Sequence, residues 1–224
     1  MICIIQARID SKRFKGKVLK KIQRKPILNI IYSRLLKLKQ INQIVVATTN
    51  RNIDKRISGY CKLNNIKCFK GPLNNLIKRY LDCANYYGEK DIIRITGDSP
   101  LVDIDIIKKM LKMYKTKKFD LVTNVFPRSF PKGLSVEIFK LKTLKKVLEN
   151  KINKLQKEHM LTYVYSNYKK FKINNYKSSK DYSKLNLSID TINDFNEIKK
   201  LLKQSRKDII DISYLELIRL NEKN

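Results

Sequence analysis

The sequence predicts an α/β fold with a mainly parallel, doubly wound sheet, and three observations support this prediction. Apolar runs of strand length lie at residues 2–7, 44–49 and 91–96. Segments with the apolar period of amphipathic helices separate these runs. Polar residues stand at the end of each run. Strands that alternate with helices are joined by right-handed crossovers into a parallel sheet, whose ligands bind at the carboxyl ends of the strands.

The first half of the chain repeats one strand–helix unit. Its first run is continuously apolar, which is typical of a strand buried on both faces. Pro26 suits a first helical turn, and the isoleucines and leucines after it recur at helical spacing. Gly88 suits the end of a later helix. The expected strands are residues 2–7, 44–49, 66–69 and 91–96, and the expected helices are about 26–38, 53–64, 74–87 and 104–114.

The pattern is looser in the second half. Residues 185–190 alternate between apolar and polar, which predicts a last strand that ends on Asp190. We interpret the chain as one domain over residues 1–224, in which about 125–185 form a small α+β insertion. The remaining expected elements are extended pieces at 119–124, 134–139 and 169–173, and helices at 141–150, 156–166 and 191–204.

The composition is that of a globular protein without a membrane span. Of its 224 residues, 42% are hydrophobic, and only five are proline and six glycine. The N-terminus lacks a basic signal region, and no apolar stretch reaches the roughly 20 residues that cross a bilayer. Four cysteines without CxxC spacing and one histidine, His159, argue against a disulfide framework and a zinc site. We therefore expect a soluble, cytoplasmic protein.

The formal net charge of +30 has two interpretations. A polyanion partner would gain affinity from clustered cations, because binding releases counterions from phosphates. However, the lysines are spread over nearly every amphipathic segment, and neither a run of five or six cations nor an aromatic-interleaved basic patch occurs. We favour general lysine-rich usage over a nucleic-acid partner, which remains the alternative. A small anionic substrate would benefit from the same field.

The loop after the first run, residues 8–17, combines several cations with Gly16. Backbone N–H groups, guanidinium groups and ammonium groups at the end of a strand can cradle a triphosphate. A solvated basic loop is the alternative interpretation. The loop is not a Walker A motif, because GxxxxGK[ST] is absent, and the chain has no GxGxxG motif.

Two aspartates stand at the ends of other predicted strands. Asp98, in Gly97-Asp98-Ser99-Pro100, could hold Mg²⁺ against a nucleotide phosphate, while Gly97 would let the backbone come close. Asp190 could be a second metal ligand. The alternatives are a simple turn at Asp98 and a helix cap at Asp190, where Thr191 and Asp194 are competing caps.

Several motifs, taken together, resemble the cytidylyltransferase family, which includes the CMP-Kdo and CMP-acylneuraminate synthetases. The closest resemblance is to the branch of spore-coat polysaccharide biosynthesis proteins, and it covers about residues 2–202 in order. The matching pieces are Ile4-Ile5-Gln6-Ala7-Arg8, Gly16-Lys17-Val18-Leu19, Ala47-Thr48-Thr49, Arg94-Ile95-Thr96-Gly97-Asp98-Ser99-Pro100, Gly133-Leu134-Ser135-Val136-Glu137, Glu158-His159-Met160 and Leu187-Ser188-Ile189-Asp190-Thr191.

The resemblance implies a Rossmann-like nucleotide-diphospho-sugar transferase fold and a role for each matching residue. The chain would couple CTP to a small anionic sugar-like acceptor, with Mg²⁺ as cofactor, for surface polysaccharide biosynthesis. Residues of about 125–185 would bind the acceptor or form a homodimer. The nucleotide would be bound by Ala7, Arg8, Ser11, Arg13, Lys17, Thr48, Arg94 and Gly97, the metal by Asp98 and Asp190, and the acceptor by Glu137 and His159; Arg8, Lys17, Asp98 and Asp190 would be catalytic.

This chain departs from the family's usual residues at two positions. The family usually carries Gly-Ser where this chain has Asp10-Ser11, so Asp10 places a negative charge beside the proposed triphosphate. It also usually has Pro-Gly where this chain has Lys15-Gly16. A glycosyltransferase that uses a nucleotide-sugar is a further alternative, since Asp103-Ile104-Asp105 has the spacing of an Asp-x-Asp metal motif. We interpret this motif as the start of a helix, where acidic residues suit the helix dipole.

Overall fold

The computed structural model describes residues 1–116, 118–205 and 207–222. The strands are β1 (Ile2–Gln6), β2 (Lys21–Ile22), β3 (Lys25–Pro26), β4 (Gln43–Thr49), β5 (Lys67–Gly71), β6 (Asp91–Thr96), β7 (Leu121–Thr123), β8 (Glu137–Lys140) and β9 (Ile173–Asn175). The α-helices are α1 (Ile27–Leu35), α2 (Lys55–Leu63), α3 (Leu76–Tyr86), α4 (Ile104–Tyr114), α5 (Leu141–Leu148), α6 (Lys154–Glu158), α7 (Thr162–Ser166), α8 (Ile192–Lys203) and α9 (Tyr214–Glu222). Short 3₁₀ helices lie at Lys17–Leu19, Asn52–Asp54 and Tyr168–Lys170.

The central sheet has seven strands in the order β5-β4-β1-β6-β8-β7-β9. β1 pairs in parallel with β4 and β6, and β4 pairs in parallel with β5. β8 runs antiparallel to both of its neighbours, β6 and β7, while β9 is parallel to β7. The prediction of a mainly parallel α/β sheet is therefore confirmed. β8 and β9 come from the predicted insertion at 125–185, so that segment extends the main sheet.

Helices cover both faces of the sheet, which explains why the residues of β1 are almost all apolar. Cys3 and Ile5 point into a core formed with α1, α2, α4, α8 and α9. Ile2 and Ile4 point into a second core formed with α3, α5 and α7. Alternate side chains of a strand face opposite sides of a sheet, so a strand between two helical layers needs apolar residues at consecutive positions.

The helix predicted at 156–166 is two helices. Asn153 caps α6, where its side chain accepts a hydrogen bond from the N–H of Gln156 in a capping box. At His159 the backbone leaves helical geometry, with φ −114° and ψ 75°, so α6 ends there. The N–H of Thr162 then donates to the carbonyl of His159 as α7 begins. This break places His159 between two helices and not on the face of one.

The strand predicted at 185–190 is wrong, because this segment forms only one isolated bridge, between Asn186 and Lys132. It is nevertheless extended and held by two backbone hydrogen bonds to Lys132, whose N–H donates to the carbonyl of Leu185 and whose carbonyl accepts from the N–H of Leu187. A Cβ on Gly133 would lie 2.4 Å from the backbone of Leu187, so the close approach requires glycine. The N–H of Ile189 donates to the carbonyl of Asp98 at 2.8 Å. The segment therefore still delivers Asp190 to the end of β6.

Other differences concern short elements. The extended pieces predicted at 119–124 and 134–139 correspond to the shorter β7 and the later β8. The piece predicted at 169–173 begins in the 3₁₀ helix Tyr168–Lys170 and ends at the first residue of β9. The β2–β3 hairpin was not predicted, because its turn uses Gln23 and Arg24 at positive φ and neither residue is a turn signal. Among the described residues, no helix has the length and apolar character that crossing a bilayer requires.

Candidate active site

A cleft of about 470 Å³ opens at the carboxyl ends of β1 and β6. Its walls come from the loop after β1, the start of α3, the turn after β6, the end of α6 and the segment that carries Asp190. The predicted site residues that line it are Ala7, Arg8, Ser11, Arg13, Lys17, Arg94, Gly97, Asp98, His159 and Asp190. Thr48 and Glu137, the two other predicted residues, are not part of its lining.

The loop after β1 is closed by a backbone hydrogen bond from Gly16 N–H to the carbonyl of Ile9, at 2.7 Å. Gly16 has φ +73°, in the left-handed region that glycine adopts without strain. The turn leads directly into the 3₁₀ helix that begins at Lys17. Lys17 is buried, and its Nζ donates to the carbonyl of Ile189 at 2.6 Å. The loop thus places the ammonium group of Lys17 in the lining of the cleft.

Lys17 joins the two predicted metal ligands. Its Nζ lies 2.9 Å from Oδ1 of Asp190 and 3.5 Å from Oδ2 of Asp98. Arg13 contacts the other oxygen of Asp190, with Nη2 at 3.0 Å from Oδ2. The side chains of Arg13 and Arg8 are 66% and 55% exposed, so both can reach a ligand in the cleft. The cations of the loop therefore converge on the same point as the carboxylates of two distant segments.

Gly97 brings β6 against β1. Its N–H donates to the carbonyl of Gln6 at 2.9 Å, and a Cβ would lie 2.8 Å from that oxygen. A side chain at this position would push the turn away from β1. Asp98 follows directly, and its carboxylate is 31% exposed. Gly97 thus fixes the turn against β1, and its predicted close approach to a nucleotide stays a prediction.

Asp190 is not the cap of α8. Thr191 is the N-cap, and its side chain accepts from the N–H of Asp194 in a capping box. Asp194 in turn accepts from the N–H groups of Asp190 and Thr191 through Oδ2. Burial tends to raise the pKa of Asp194, but these hydrogen bonds outweigh it and lower the pKa. The cap is thus complete without the Asp190 carboxylate, which faces Lys17.

The two aspartates fit a Mg²⁺ site. Their carboxylates converge on one cation, the ammonium group of Lys17, and each is about one-third exposed, at 31% and 34%. Mg²⁺ usually takes one or two carboxylates and completes its shell with phosphate oxygens and water. Within residues 1–116, 118–205 and 207–222, no group of three or more His, Cys, Asp or Glu side chains could hold a metal. A metal between Asp98 and Asp190 would therefore depend on substrate oxygens as well.

Asp10, the departure from the usual glycine, is bound by Arg51. Both guanidinium Nη atoms contact the Asp10 carboxylate, with Nη2 at 2.6 Å from Oδ1, and Nη2 also lies 2.8 Å from Oδ2 of Asp54. The fully buried Asp54 accepts from the N–H of Ile9 at 2.7 Å. Hydrogen bonding to Arg51 lowers the pKa of Asp10. Arg51 was missed by sequence reasoning, because one arginine in a basic chain carries no signal.

Thr48 lies outside the cleft because of its place on β4. Ala47 is the register partner of Gln6, whose side chain reaches the cleft. Successive side chains alternate between faces, so Thr48 points to the opposite face of the sheet. It is fully buried, and its Oγ1 has no hydrogen-bond partner in the described part of the chain. The neighbouring hydroxyl of Thr49 instead contacts Asp54.

Glu137 is buried behind the cleft wall and pairs with Arg94, which does line the cleft. The hydroxyl of Tyr165 donates to the other oxygen of Glu137. Arg94 Nε donates to Oε1 of Gln6 at 3.0 Å. Burial opposes the charged form of Arg94, but Glu137 outweighs it and raises the arginine pKa. We expected Glu137 to face the acceptor, but its carboxylate instead pairs with Arg94.

The Asp-x-Asp spacing at residues 103–105 is the start of a helix, as interpreted from the sequence. Asp103 is the N-cap of α4, and its Oδ1 accepts from the N–H groups of Asp105 and Ile106. Its Oδ2 accepts from the N–H of Tyr214, which docks α9. Asp103 is buried and does not line the cleft. Asp103 of the motif that suggested a glycosyltransferase therefore caps α4 and holds α9, and it does not face the cleft.

The fold and the cleft define a nucleotidyltransferase: a parallel α/β sheet whose strand ends present cations and two carboxylates to one cleft. The chain belongs to the cytidylyltransferase family, whose sequence model matches residues 2–218. The resemblance drawn from the motifs is therefore confirmed.

Three known proteins illustrate the relationship. A cytidylyltransferase structure from Leptospira borgpetersenii serovar Hardjo-bovis is 35% identical, with a TM-score of 0.94 over 100% of this chain and 94% of that one. A spore coat polysaccharide biosynthesis protein of Bacillus subtilis is 25% identical over 100% of this chain and 95% of its own. A CMP-2-keto-3-deoxy-manno-octonic acid synthetase in complex with CTP shares the fold, with a TM-score of 0.70 and 14% identity over 91% of this chain and 98% of that one.

Proposed function

We propose that this enzyme transfers a cytidylyl group from CTP to an anionic sugar-like acceptor, in a Mg²⁺-dependent reaction that releases pyrophosphate. The acceptor would be a sugar phosphate or an acidic sugar. The observation that carries the proposal is the convergence of Asp98 and Asp190 on Lys17 in a cleft lined by further cations. A role in surface polysaccharide biosynthesis is supported by the name of the Bacillus subtilis relative.

The cations of the loop after β1 would bind the triphosphate. Arg8 and Arg13 are exposed, while Lys17 is buried and held by the carbonyl of Ile189. Their charges would hold the β- and γ-phosphates and offset the charge that develops on the leaving pyrophosphate. The backbone at Gly97 would allow the phosphates to approach the end of β6 closely.

The reaction would be an in-line displacement at the α-phosphorus. A new P–O bond forms to the acceptor oxygen while the bond to the β-phosphate oxygen breaks, and pyrophosphate leaves. The oxygen of a sugar phosphate is already anionic and needs no general base, so catalysis then rests on positioning and charge. An acidic sugar that attacks through a hydroxyl group must also give up its proton, to water or another base in the cleft. Asp98 and Asp190 would hold Mg²⁺, which supplies positive charge to the phosphate oxygens when bound.

The compartment we propose is the cytoplasm. All four cysteines are free thiols in the structure. Burial raises the pKa of Cys83 to about 12 and that of Cys3 beyond its ordinary range, so neither is a reactive thiolate. Structural disulfides mark oxidising compartments, and free buried thiols favour a reducing one.

Pyrophosphate release tests the proposed function. Each of the four ribonucleoside triphosphates would be supplied with Mg²⁺ and a panel of sugar phosphates and acidic sugars. We expect release with CTP that depends on an acceptor and disappears in Asp98→Asn. Lys108→Met is the matched control, since Lys108 forms an exposed ion pair on α4 outside the cleft. Failure of every pair, together with salt-sensitive binding to RNA or DNA, would replace this proposal with the nucleic-acid alternative.

A further inference from the structure

A row of polar side chains crosses the otherwise apolar face of the sheet beneath α3 and α7. Arg94 and Glu137 are register partners on β6 and β8, and Glu137 and Thr123 are partners on β8 and β7. The row ends at Tyr165, whose hydroxyl contacts both Thr123 and Glu137. At the other end Gln6 accepts from Arg94 Nε and from the hydroxyl of Tyr80. Around this row the face is packed with aliphatic and aromatic residues.

Arg94 is the member of this row that carries an unused charged donor. Its Nε and Nη1 are taken by Gln6 and Glu137. Its Nη2 forms no hydrogen bond with the described residues. Among those residues, Thr48 Oγ1 is the only side-chain N or O atom that is fully buried and has no partner. Arg94 Nη2 is therefore accessible, and Arg94 lines the cleft with a side chain that is 19% exposed.

Glu137 and Tyr165 hold this arginine in place. The Glu137 side chain is only 4% exposed, and each of its carboxylate oxygens has a partner, Arg94 on one side and Tyr165 on the other. A ligand in the cleft would meet the guanidinium group and not the carboxylate behind it. Phe126 stacks on Tyr165 with ring centroids 4.9 Å apart and so restrains the tyrosine ring.

The charges of the two proposed substrates indicate which group Arg94 would bind. The cytosine and ribose of CTP are uncharged, and the triphosphate already meets Arg8, Arg13 and Lys17 under the proposed function. A partly buried guanidinium donor interacts most strongly with an anionic oxygen. The remaining anion in the reaction is the acceptor.

We infer that Arg94 binds the anionic group of the acceptor, a carboxylate or a phosphate, through Nη2, and that Glu137 and Tyr165 are positioning residues for it. This inference rests on the proposed function and changes two expectations. Arg94, expected near the nucleoside, becomes a residue that determines acceptor specificity. Glu137, expected to touch the acceptor, acts through Arg94.

The test uses an Arg94→Gln/Glu137→Gln double variant. Removing one partner alone would leave a buried charge unpaired and threaten folding, whereas the double change removes both charges together. We expect the KM for the acceptor to rise about 10- to 100-fold, the size expected for a lost charged hydrogen bond, while the KM for CTP stays unchanged. Two probes distinguish the anion: 2-keto-3-deoxy-manno-octonate, with its methyl ester, and a hexose 1-phosphate. The probe that the wild-type enzyme uses should be the one whose KM rises.

Tyr165→Phe tests the positioning role. It removes one hydrogen bond to Glu137, so the KM for the acceptor should rise a few-fold and kcat should change less. Tyr114→Phe is its matched control, because it removes a tyrosine–carboxylate hydrogen bond to Asp91 at the other end of β6. The control should leave the KM for both substrates unchanged.

Three results would overturn the inference. The first is an equal rise in the KM for CTP and for the acceptor in the double variant. The second is turnover of the methyl ester or of a neutral sugar that is as fast as turnover of the anionic probe that the enzyme uses. The third is an unchanged acceptor KM in a folded double variant that still binds CTP. A wild-type protein that binds no CTP in a calorimetric titration would instead contradict the proposed function itself, and the inference would fall with it.

Discussion

The ammonium group of Lys17 lies 2.9 Å from Oδ1 of Asp190, although 173 residues separate them in the sequence. The contact joins the first loop of the fold to the last segment before α8. Asp98 contacts the same ammonium group, with Oδ2 at 3.5 Å. The loop after β1, the turn after β6 and the segment before α8 thus meet at one charged point, where a metal and a triphosphate can be held together.

The first prediction concerns Lys17 itself. Lys17→Met should lower kcat at least about 100-fold, because a fixed positive charge beside the leaving pyrophosphate is lost. The variant also leaves Asp98 and Asp190 facing each other, so its Mg²⁺ affinity without nucleotide should increase. Steady-state kinetics and a metal titration would measure the two effects. Lys12→Met, a change at a neighbouring cation that also lines the cleft, should have a smaller effect; equal losses would show that only total charge matters.

The second prediction concerns Gly97. Gly97→Ala places a Cβ 2.8 Å from the carbonyl of Gln6, so β6 and β1 must separate at the cleft floor. We expect strongly reduced kcat and a lower melting temperature. The matched control is Gly59→Ala in α2, where a Cβ meets nothing within 4 Å. Alanine in a helix stabilises by about 0.5–1 kcal/mol relative to glycine, so the control should gain stability and keep its activity. An active Gly97→Ala enzyme would contradict the close approach.

The third prediction concerns the pairing of Arg51 with Asp10. A double-mutant cycle with Arg51→Met and Asp10→Asn should give a coupling energy of about 1 kcal/mol or less in urea unfolding, since both side chains are partly exposed. The functional effect should be larger. Arg51→Met frees the loop that carries Arg8 and Arg13, so the KM for CTP should rise.

Asp10→Gly restores the residue that the family usually has, and it separates two explanations. If Arg51 neutralises Asp10, as the bidentate contact indicates, the change should improve CTP affinity little. A large improvement on Asp10→Gly would mean that Asp10 repels the triphosphate, and it would contradict this account.

The fourth prediction concerns pH and the cap of α8. The pKa of Asp194 lies below its ordinary value of 3.8 in the folded state. A lowered carboxyl pKa stabilises the fold above the unfolded-state value, and this stability is lost as the pH falls through the folded-state pKa. Asp194→Asn should therefore flatten the fall in stability below about pH 4, measured by urea unfolding at several pH values. An unchanged pH profile would show that the capping box does not contribute.

Thr191→Ala tests the same cap from its other side. Loss of the N-cap hydrogen bond should cost about 1 kcal/mol of unfolding free energy. Because Asp194 also accepts from the N–H of Asp190, the variant should disturb the site as well as the helix. We expect a higher Mg²⁺ requirement in kinetics, and an unaltered requirement would separate the cap from the site.

The sheet and much of the cleft could be predicted from the sequence because both depend on local patterns. Continuous apolar runs identify strands that are covered on both faces, and parallel strands place their carboxyl ends at one edge. Asp98 and Gly97 follow β6 directly, so their position was fixed once that strand was recognised. Asp190 reached the site although its expected strand did not form, because backbone hydrogen bonds hold the segment extended.

The residues that were missed or misplaced depend on side-chain geometry across the sheet. Thr48 was expected at the nucleotide but does not line the cleft, because the motif gives the end of β4 but not which of its alternate residues faces the cleft. Arg51 and Tyr165 come from a loop and a short helix, and each acts through a partner distant in the sequence. Sequence spacing carries no information on such pairs.

The most direct test of the central claim is the Mg²⁺ dependence of CTP affinity, measured by calorimetry in the wild-type protein and in an Asp98→Asn/Asp190→Asn variant. The account predicts that Mg²⁺ tightens CTP binding at least about 10-fold in the wild type, as expected when a metal bridges protein carboxylates and phosphate oxygens. The variant should bind CTP without this dependence. A variant that keeps the full effect of Mg²⁺ would show that these aspartates do not hold the metal and would contradict the central claim.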